Sequence, residues 1–197
     1  MRNVGAIILA AGGSSRFGRP KQLLPFRGET LVRRAVRSAC EGGCGWIAVV
    51  VGEQRDLIEM EFRETPAVLV ENPDWQRGLG SSIRCGLSHL LSSRPELDAV
   101  VLVACDQPFV DASLIQSLIA QHETSGKPIV ASSYADTLGV PALFARACFE
   151  SLLALPDDSG AKALIESRSA NVAQVEFEQG ALDIDTPADF ERIKSRT

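Results

Sequence analysis

Short apolar runs with almost no charge punctuate this chain, and between them apolar residues recur at three- and four-residue spacing. Val4 to Ala11, Trp46 to Val51, Ala67 to Val70, Leu97 to Ala104 and Pro128 to Ser132 are the runs. They lack polar alternation, which marks strands covered on both faces, as in a parallel sheet. Leu31, Val32, Ala35, Val36 and Ala39 follow Thr30 at helical spacing, so the pattern predicts a helix capped by Thr30 and stopped by Gly42-Gly43. Further helices are expected over Glu53 to Phe62, over Leu79 to Leu91, and from Ala112 onward behind Asp111 as N-cap. Strands alternating with helices imply right-handed crossovers, hence an α/β fold with three layers and a mainly parallel central sheet.

The last third reads less regularly. Tyr134 to Phe144 reads as a loop followed by a return strand around Gly139 to Phe144, with helices then expected over Arg146 to Leu155 and Ala161 to Arg168, and a strand over Asn171 to Phe177. Leu182 to Asp185 reads as a short strand leading into a closing helix, with Pro187 in its first turn. Asp157 and Asp158 read as solvated turn acids.

The first run ends in Gly12-Gly13-Ser14-Ser15-Arg16 and then Lys21. A buried parallel strand delivers its carboxyl end into a ligand crevice. There the glycines would let the backbone turn and approach a ligand, the serines add donors, and successive N–H groups can line an oxyanion. Arg16 offers a planar fork of donors and Lys21 a compact movable charge, so two phosphate groups are the expected guests. The Walker pattern fails, because Gly18 is followed by Arg19, and the dinucleotide fingerprint fails because its glycine spacing is missing. The plain alternative is a strand-to-loop turn with solvated cations.

A second acid-bearing edge follows the fourth run, where Cys105-Asp106-Gln107-Pro108 emerges. Magnesium takes one or two protein carboxylates plus waters and phosphate oxygens, so Asp106 alone can seat it. Asp111 is better placed to cap the following helix. The polar stretch Asn72 to Gly78 leads into Ser81 and Ser82 in the first turn of a helix, where capping and ligand contact are equally open.

These stretches together resemble the molybdenum-cofactor nucleotidyltransferases and their MobA-like relatives. The likeness lies in Leu9-Ala10-Ala11-Gly12-Gly13-Ser14-Ser15-Arg16-Phe17-Gly18 with Lys21, in Asn72 to Ser82, in Asp106-Gln107-Pro108 and in Asp183-Ile184-Asp185-Thr186-Pro187. It implies a Rossmann-like nucleotidyltransferase fold in which Leu9, Ala10, Ala11, Gly12, Gly13, Ser14, Ser15, Gly78, Ser81 and Ser82 bind the nucleotide. Arg16 and Lys21 would then be catalytic, and Asp106 with Asp185 would hold Mg²⁺. The resemblance further implies transfer of CMP from CTP to a phosphate-bearing acceptor, molybdopterin, with an apo-molybdoenzyme receiving the product. Ala11 stands where the guanylyl branch tends to carry a second glycine. Val140 departs from the Gly-His-Pro of many relatives, which keeps a sugar phosphate or alcohol phosphate open as acceptor. A protein that binds and delivers a finished cofactor without turnover is the reading from another class.

Composition narrows this further. With 197 residues, 45% hydrophobic, the chain can bury a substantial core and is expected to form one domain, 1–197. A net charge of -5 argues against a general nucleic-acid binder. No run approaches membrane-spanning length, and the short apolar start leads straight into the charged loop rather than behaving as a secretory signal. The five scattered cysteines read as reduced thiols, which fits a cytoplasmic protein.

Overall fold

The uncharged run at the start lies in the interior of a seven-stranded sheet, beside its central strand. A computed structural model describes residues 3–14, 17–53, 55–62 and 65–195. Strand β1 (Val4–Leu9) is followed by a small hairpin, β2 (Pro25–Phe26) with β3 (Glu29–Thr30), and then α1 (Leu31–Glu41). Next come β4 (Trp46–Val51), α2 (Arg55–Glu59), β5 (Ala67–Glu71), α3 (Leu79–Ser93), β6 (Ala99–Ala104) and α4 (Ala112–Ser125). The chain closes with β7 (Ile129–Tyr134), β8 (Thr137–Ala145), α5 (Phe149–Leu153), α6 (Ala161–Ser167), β9 (Val172–Glu176) and α7 (Pro187–Lys194).

The sheet order is β5-β4-β1-β6-β8-β7-β9. β1 pairs in parallel with β4 and β6, and β4 with β5, so four strands deliver their carboxyl ends to one edge. β8 runs antiparallel to both of its neighbours. Period-two geometry divides the apolar residues between two cores. Ala6 and Ile8 face α1, α4 and α7, whereas Ile7 and Leu9 face α3, α5 and α6. The result is the three-layer, mostly parallel α/β architecture. Among the described residues no helix is long and apolar enough to cross a membrane.

Local signals hold where one residue suffices. The Thr30 hydroxyl accepts from the Arg33 N–H at 3.4 Å and Asp111 from the Leu114 N–H at 2.9 Å, so both expected caps form. Four expectations need correction. Leu182 to Asp185 is not a strand: it crosses the end of β6 with a single backbone bond, Ile184 N–H to the Asp106 carbonyl at 3.0 Å, and then enters the capping box of α7. The helix expected over Glu53 to Phe62 is only α2 followed by a 3₁₀ turn, Met60–Phe62. The helix expected from Arg146 begins as the 3₁₀ turn Arg146–Cys148 and becomes α-helical only in α5. The loop expected after Tyr134 is a two-residue turn, because Ala135 and Asp136 take positive φ of 45° and 58°, the geometry that matches strand twist in tight hairpins.

Candidate active site

A cleft of about 460 Å³ opens at the carboxyl edge of β1 and β6. Leu9, Ala11 and Gly12 form one side, Asp106 and Gln107 the floor, and Trp75 with Gly78 the facing wall. One buried and one half-buried polar group shape the first side. The Gln22 amide, 1% exposed, donates to the carbonyls of Ala10 at 2.6 Å and Gly12 at 2.9 Å. The Ser14 hydroxyl accepts from the Lys21 backbone N–H at 2.9 Å and lies 3.3 Å from the Gln22 side-chain oxygen. The glycine loop is thus tied to the segment that carries Lys21.

The turn itself differs from its expected cause. Positive φ falls on Ser14, at 48°, and not on Gly12 or Gly13. Gly13 is required by proximity instead, since a Cβ there would lie 2.8 Å from the Trp75 ring. Gly52 is in the same position, at 2.7 Å, so the indole fills a slot left open by two missing side chains.

Lys21 is where distant parts of the chain meet. Its ammonium lies 2.6 Å from Asp106 Oδ2, 3.2 Å from Asp185 Oδ1 and 3.3 Å from the Ile184 carbonyl, so all three donors have acceptors. Burial disfavours its charged form, but contact with Asp106, aided by Cys105 and Asp185, outweighs this and raises the titration point above the ordinary lysine value. Asp183 also lines the cleft. Burial, with the charges of Asp106 and Asp185, pushes its carboxyl up to about 6.

The facing wall is knitted internally. Asn72, 3% exposed, donates to the hydroxyls of Ser81 at 2.9 Å and Ser82 at 3.0 Å, and accepts from the Asp74 N–H at 3.0 Å. The Ser81 hydroxyl lies 2.8 Å from the Gly78 carbonyl and 3.0 Å from that of Asp74. Ser82 lines the cleft, whereas Ser81 stands behind it, holding the loop. Gly78 takes φ of 129°, in the region that favours glycine. Asp157 is not a solvated turn acid: it pairs with Arg77 of this loop at 2.6 Å and with Arg84 of α3, while its carbonyl accepts from the Gly80 N–H at 2.9 Å.

The structure therefore brings together Leu9, Ala11, Gly12, Lys21, Gly78, Ser82 and Asp106 around one cleft, with Asp185 reached through Lys21. Ala10 and Gly13 lie behind the loop, beside Gly52 and Trp75. Ser15 and Arg16 lie outside the described residues. Sequence reasoning gave no role to Gln22, Trp75, Gln107 or Tyr134. An amide directly after the loop lysine, and a tryptophan in a glycine-rich stretch, were the available signals.

Two carboxylate oxygens within hydrogen-bonding reach of one ammonium form a hard donor pair of the kind that Mg²⁺ or Mn²⁺ takes. Among the described residues no three His, Cys, Asp or Glu side chains could hold an ion by themselves. Such an ion would have to complete its shell with phosphate oxygens and water.

The model of the MobA-like NTP transferase domain matches residues 6–173. The chain belongs to this MobA-like family. Its relatives carry varied names. Nicotine blue oxidoreductase of Paenarthrobacter nicotinovorans is 35% identical over 120 residues, covering 60% of this chain and 57% of that protein. The chain thus spans less than two thirds of that curated relative. Among solved structures, Rv0371c from Mycobacterium tuberculosis superposes with a TM-score of 0.84 at 27% identity, covering 98% of both chains. A manganese complex of Rv0371c matches with a TM-score of 0.79. The Rv0371c homologue from Mycobacterium sp. strain JC1 is 33% identical, with a TM-score of 0.82 over 100% of this chain and 98% of that one. The MobA-like fold is therefore matched along nearly the whole length of this chain.

Proposed function

We propose that this chain is a nucleotidyltransferase that moves CMP from CTP to the phosphate of a molybdopterin-type acceptor and releases pyrophosphate. The observation that carries the reading is the convergence of Lys21, Asp106 and Asp185 beside the loop at Gly12, at the edge where four parallel strands end. Backbone N–H groups of that loop, with Arg16 and Lys21, would hold the triphosphate. Asp106 and Asp185 would hold Mg²⁺, which when bound would neutralise charge on the phosphates. That a similar protein has been solved as a manganese complex supports a role for a divalent ion. Entry of the nucleotide would draw the Lys21 ammonium from its acids toward phosphate oxygens.

The acceptor phosphate, with a second pKa of about 6, is largely dianionic at neutral pH and needs no general base. Its oxygen forms a bond to the α-phosphorus as the bond from that phosphorus to the bridging oxygen breaks, and the electron pair leaves with pyrophosphate. Catalysis is then positioning plus charge neutralisation. The histidines agree with this. His122 is buried with Nδ1 2.8 Å from the Lys127 carbonyl, and neither it nor His89 lines the cleft. The product would be handed to an apo-molybdoenzyme.

The test is pyrophosphate release with CTP, GTP, ATP and UTP against molybdopterin and a set of sugar phosphates, with Mg²⁺. Release with CTP and molybdopterin supports the reading. Binding of a finished dinucleotide cofactor without any release would make the chain a delivery protein. The oxidoreductase name of one relative calls for a separate arm, with a reduced nicotinamide nucleotide as electron donor and a dye as electron acceptor: reduction of the dye without pyrophosphate release in the panel would overturn transferase chemistry.

A further inference from the structure

Gln107 follows Asp106 on the floor of the cleft, and only half of its amide is satisfied. Nε2 donates to the carbonyls of Val140 at 3.2 Å and Gly180 at 3.1 Å. Those carbonyls decide which way round the amide lies, because turning it over would set Oε1 against two other oxygens. Oε1 is then left with no hydrogen-bond partner, on a residue only 6% exposed that lines the cleft. A buried amide oxygen without a donor is a standing cost that a ligand donor would remove.

The surroundings are built to hold this arrangement. The Tyr134 hydroxyl donates to the same Val140 carbonyl at 3.2 Å. Its ring fits because positions 139 and 180 are glycines: a Cβ would lie 2.2 Å from Tyr134 at the first and 2.4 Å at the second. The Val140 side chain adds an apolar face to the cleft. Among the described residues lining the cleft, Lys21 is the one cation, and it is engaged by Asp106 and Asp185. The Asp183 carboxyl also stands within hydrogen-bonding reach of the Gln107 amide and lines the same cleft, so the floor beside Gln107 suits a neutral group with a hydrogen to donate, and not a second phosphate.

We infer that Gln107 is a specificity-determining residue whose Oε1 accepts a hydrogen bond from a neutral N–H or O–H group of the acceptor. This rests on the transferase reading above and deepens it. Two kinds of acceptor offer that donor: a pterin, through its ring and exocyclic N–H groups, and a sugar phosphate, through its hydroxyls.

The experiment compares wild type with Gln107→Met, which keeps the length of the side chain and removes the amide. Pyrophosphate release is measured with CTP and Mg²⁺ in two arms, molybdopterin and hexose 1-phosphates. In the arm that turns over, kcat/KM for the acceptor should fall tenfold or more while KM for CTP stays within twofold. An unchanged acceptor kcat/KM, or an equal loss on both substrates, would overturn the inference, the second by making Gln107 a mere brace for Val140. Absence of release in both arms would refute CTP as the donor in the reading above. The subsite is then judged by binding of 6-hydroxymethylpterin and of glucose 1-phosphate, followed by tryptophan fluorescence. Tighter binding to wild type than to Gln107→Met upholds it, and no difference ends it. Should the variant fail to fold, wild type alone suffices: acceptors with one donor replaced by fluorine or methyl should include at least one tenfold weaker, and uniform affinity across them would overturn the proposal.

Discussion

The two walls of the cleft carry similar polar residues and use them in opposite ways. On the wall that follows β5, Asn72, Asp74, Gly78, Ser81 and Ser82 bond to one another within ten residues of sequence. On the wall that follows β1, Ser14 and Gln22 are also local, but Lys21 reaches acids 85 and 164 residues away. The Ser81 hydroxyl, which accepts from Asn72 and donates within its own loop, is no longer available to a ligand, whereas a charge shared between remote carboxylates can be redirected when a stronger partner arrives. A serine in the first turn of a helix therefore says little about binding until its partners are known.

This contrast can be broken by mutation, beginning with the largest effects. Lys21→Ala should lower the turnover number about a hundredfold or more, as loss of one preorganised charge donor commonly does. Asp106→Asn should act at least as strongly and raise the Mg²⁺ requirement, and adding Asp185→Asn should make it little worse, because residues acting as a unit are not additive. Pyrophosphate-release kinetics across a Mg²⁺ titration check both, and additive losses would argue against a shared ion. Arg16→Ala is expected to behave as Lys21→Ala does.

Ser81→Ala should do the reverse. Turnover stays within about twofold, while stability falls by about 1–3 kcal/mol as the Gly78 and Asp74 carbonyls lose their donor. Urea denaturation read beside kcat separates the two; a large loss of turnover with unchanged stability would put Ser81 on the nucleotide. For the donor itself, wild type is expected to favour CTP over GTP, and Ala11→Gly to narrow that gap. A small apolar contact is worth about 1–3 kcal/mol in selectivity, so preference and not exclusion is expected. The ratio of kcat/KM values for the two nucleotides measures it.

The smallest effect belongs to Asp157. The hydrogen bond from Arg84, opposed by burial and aided by the charge of Arg77, holds its carboxyl below the ordinary Asp value of 3.8. A depressed folded-state pKa stabilises the fold above the unfolded value and loses that contribution as pH falls through the folded one. The stability difference between wild type and Asp157→Asn should thus be constant near neutrality and vanish progressively below about 3.8. Unfolding curves at a series of pH values would show it, and a difference that persists into strong acid would mean the ion pairs are not its source.

Much of this was legible without a structure, and each legible feature was local. Unbroken apolar runs predicted β1, β4, β5, β6 and β7, because a strand buried on both faces tolerates no charge. Thr30 and Asp111 were readable as caps because a cap needs only an oxygen and an N–H three residues on. Leu182 to Asp185 misled because its alternation suits a strand, yet among the described residues its one backbone bond to the sheet edge is from Ile184 to the Asp106 carbonyl, just past β6.

By itself, then, the sequence determined the alternation of strands and helices, the order of glycines, serines and cations after the first strand, and the acid that follows β6. Only the tertiary structure decided that β8 slips antiparallel between β6 and β7, that Trp75 needs Gly13 and Gly52, and that Lys21 joins Asp106 to Asp185. The same holds for Gln107, whose amide is oriented by carbonyls 33 and 73 residues away and whose oxygen is left unpaired. The physical reason is one of range. Propensity, capping and hydrophobic periodicity act between residues a few positions apart, while the partner of a buried polar group is chosen by whichever chain segment the packed sheet brings within about 3 Å.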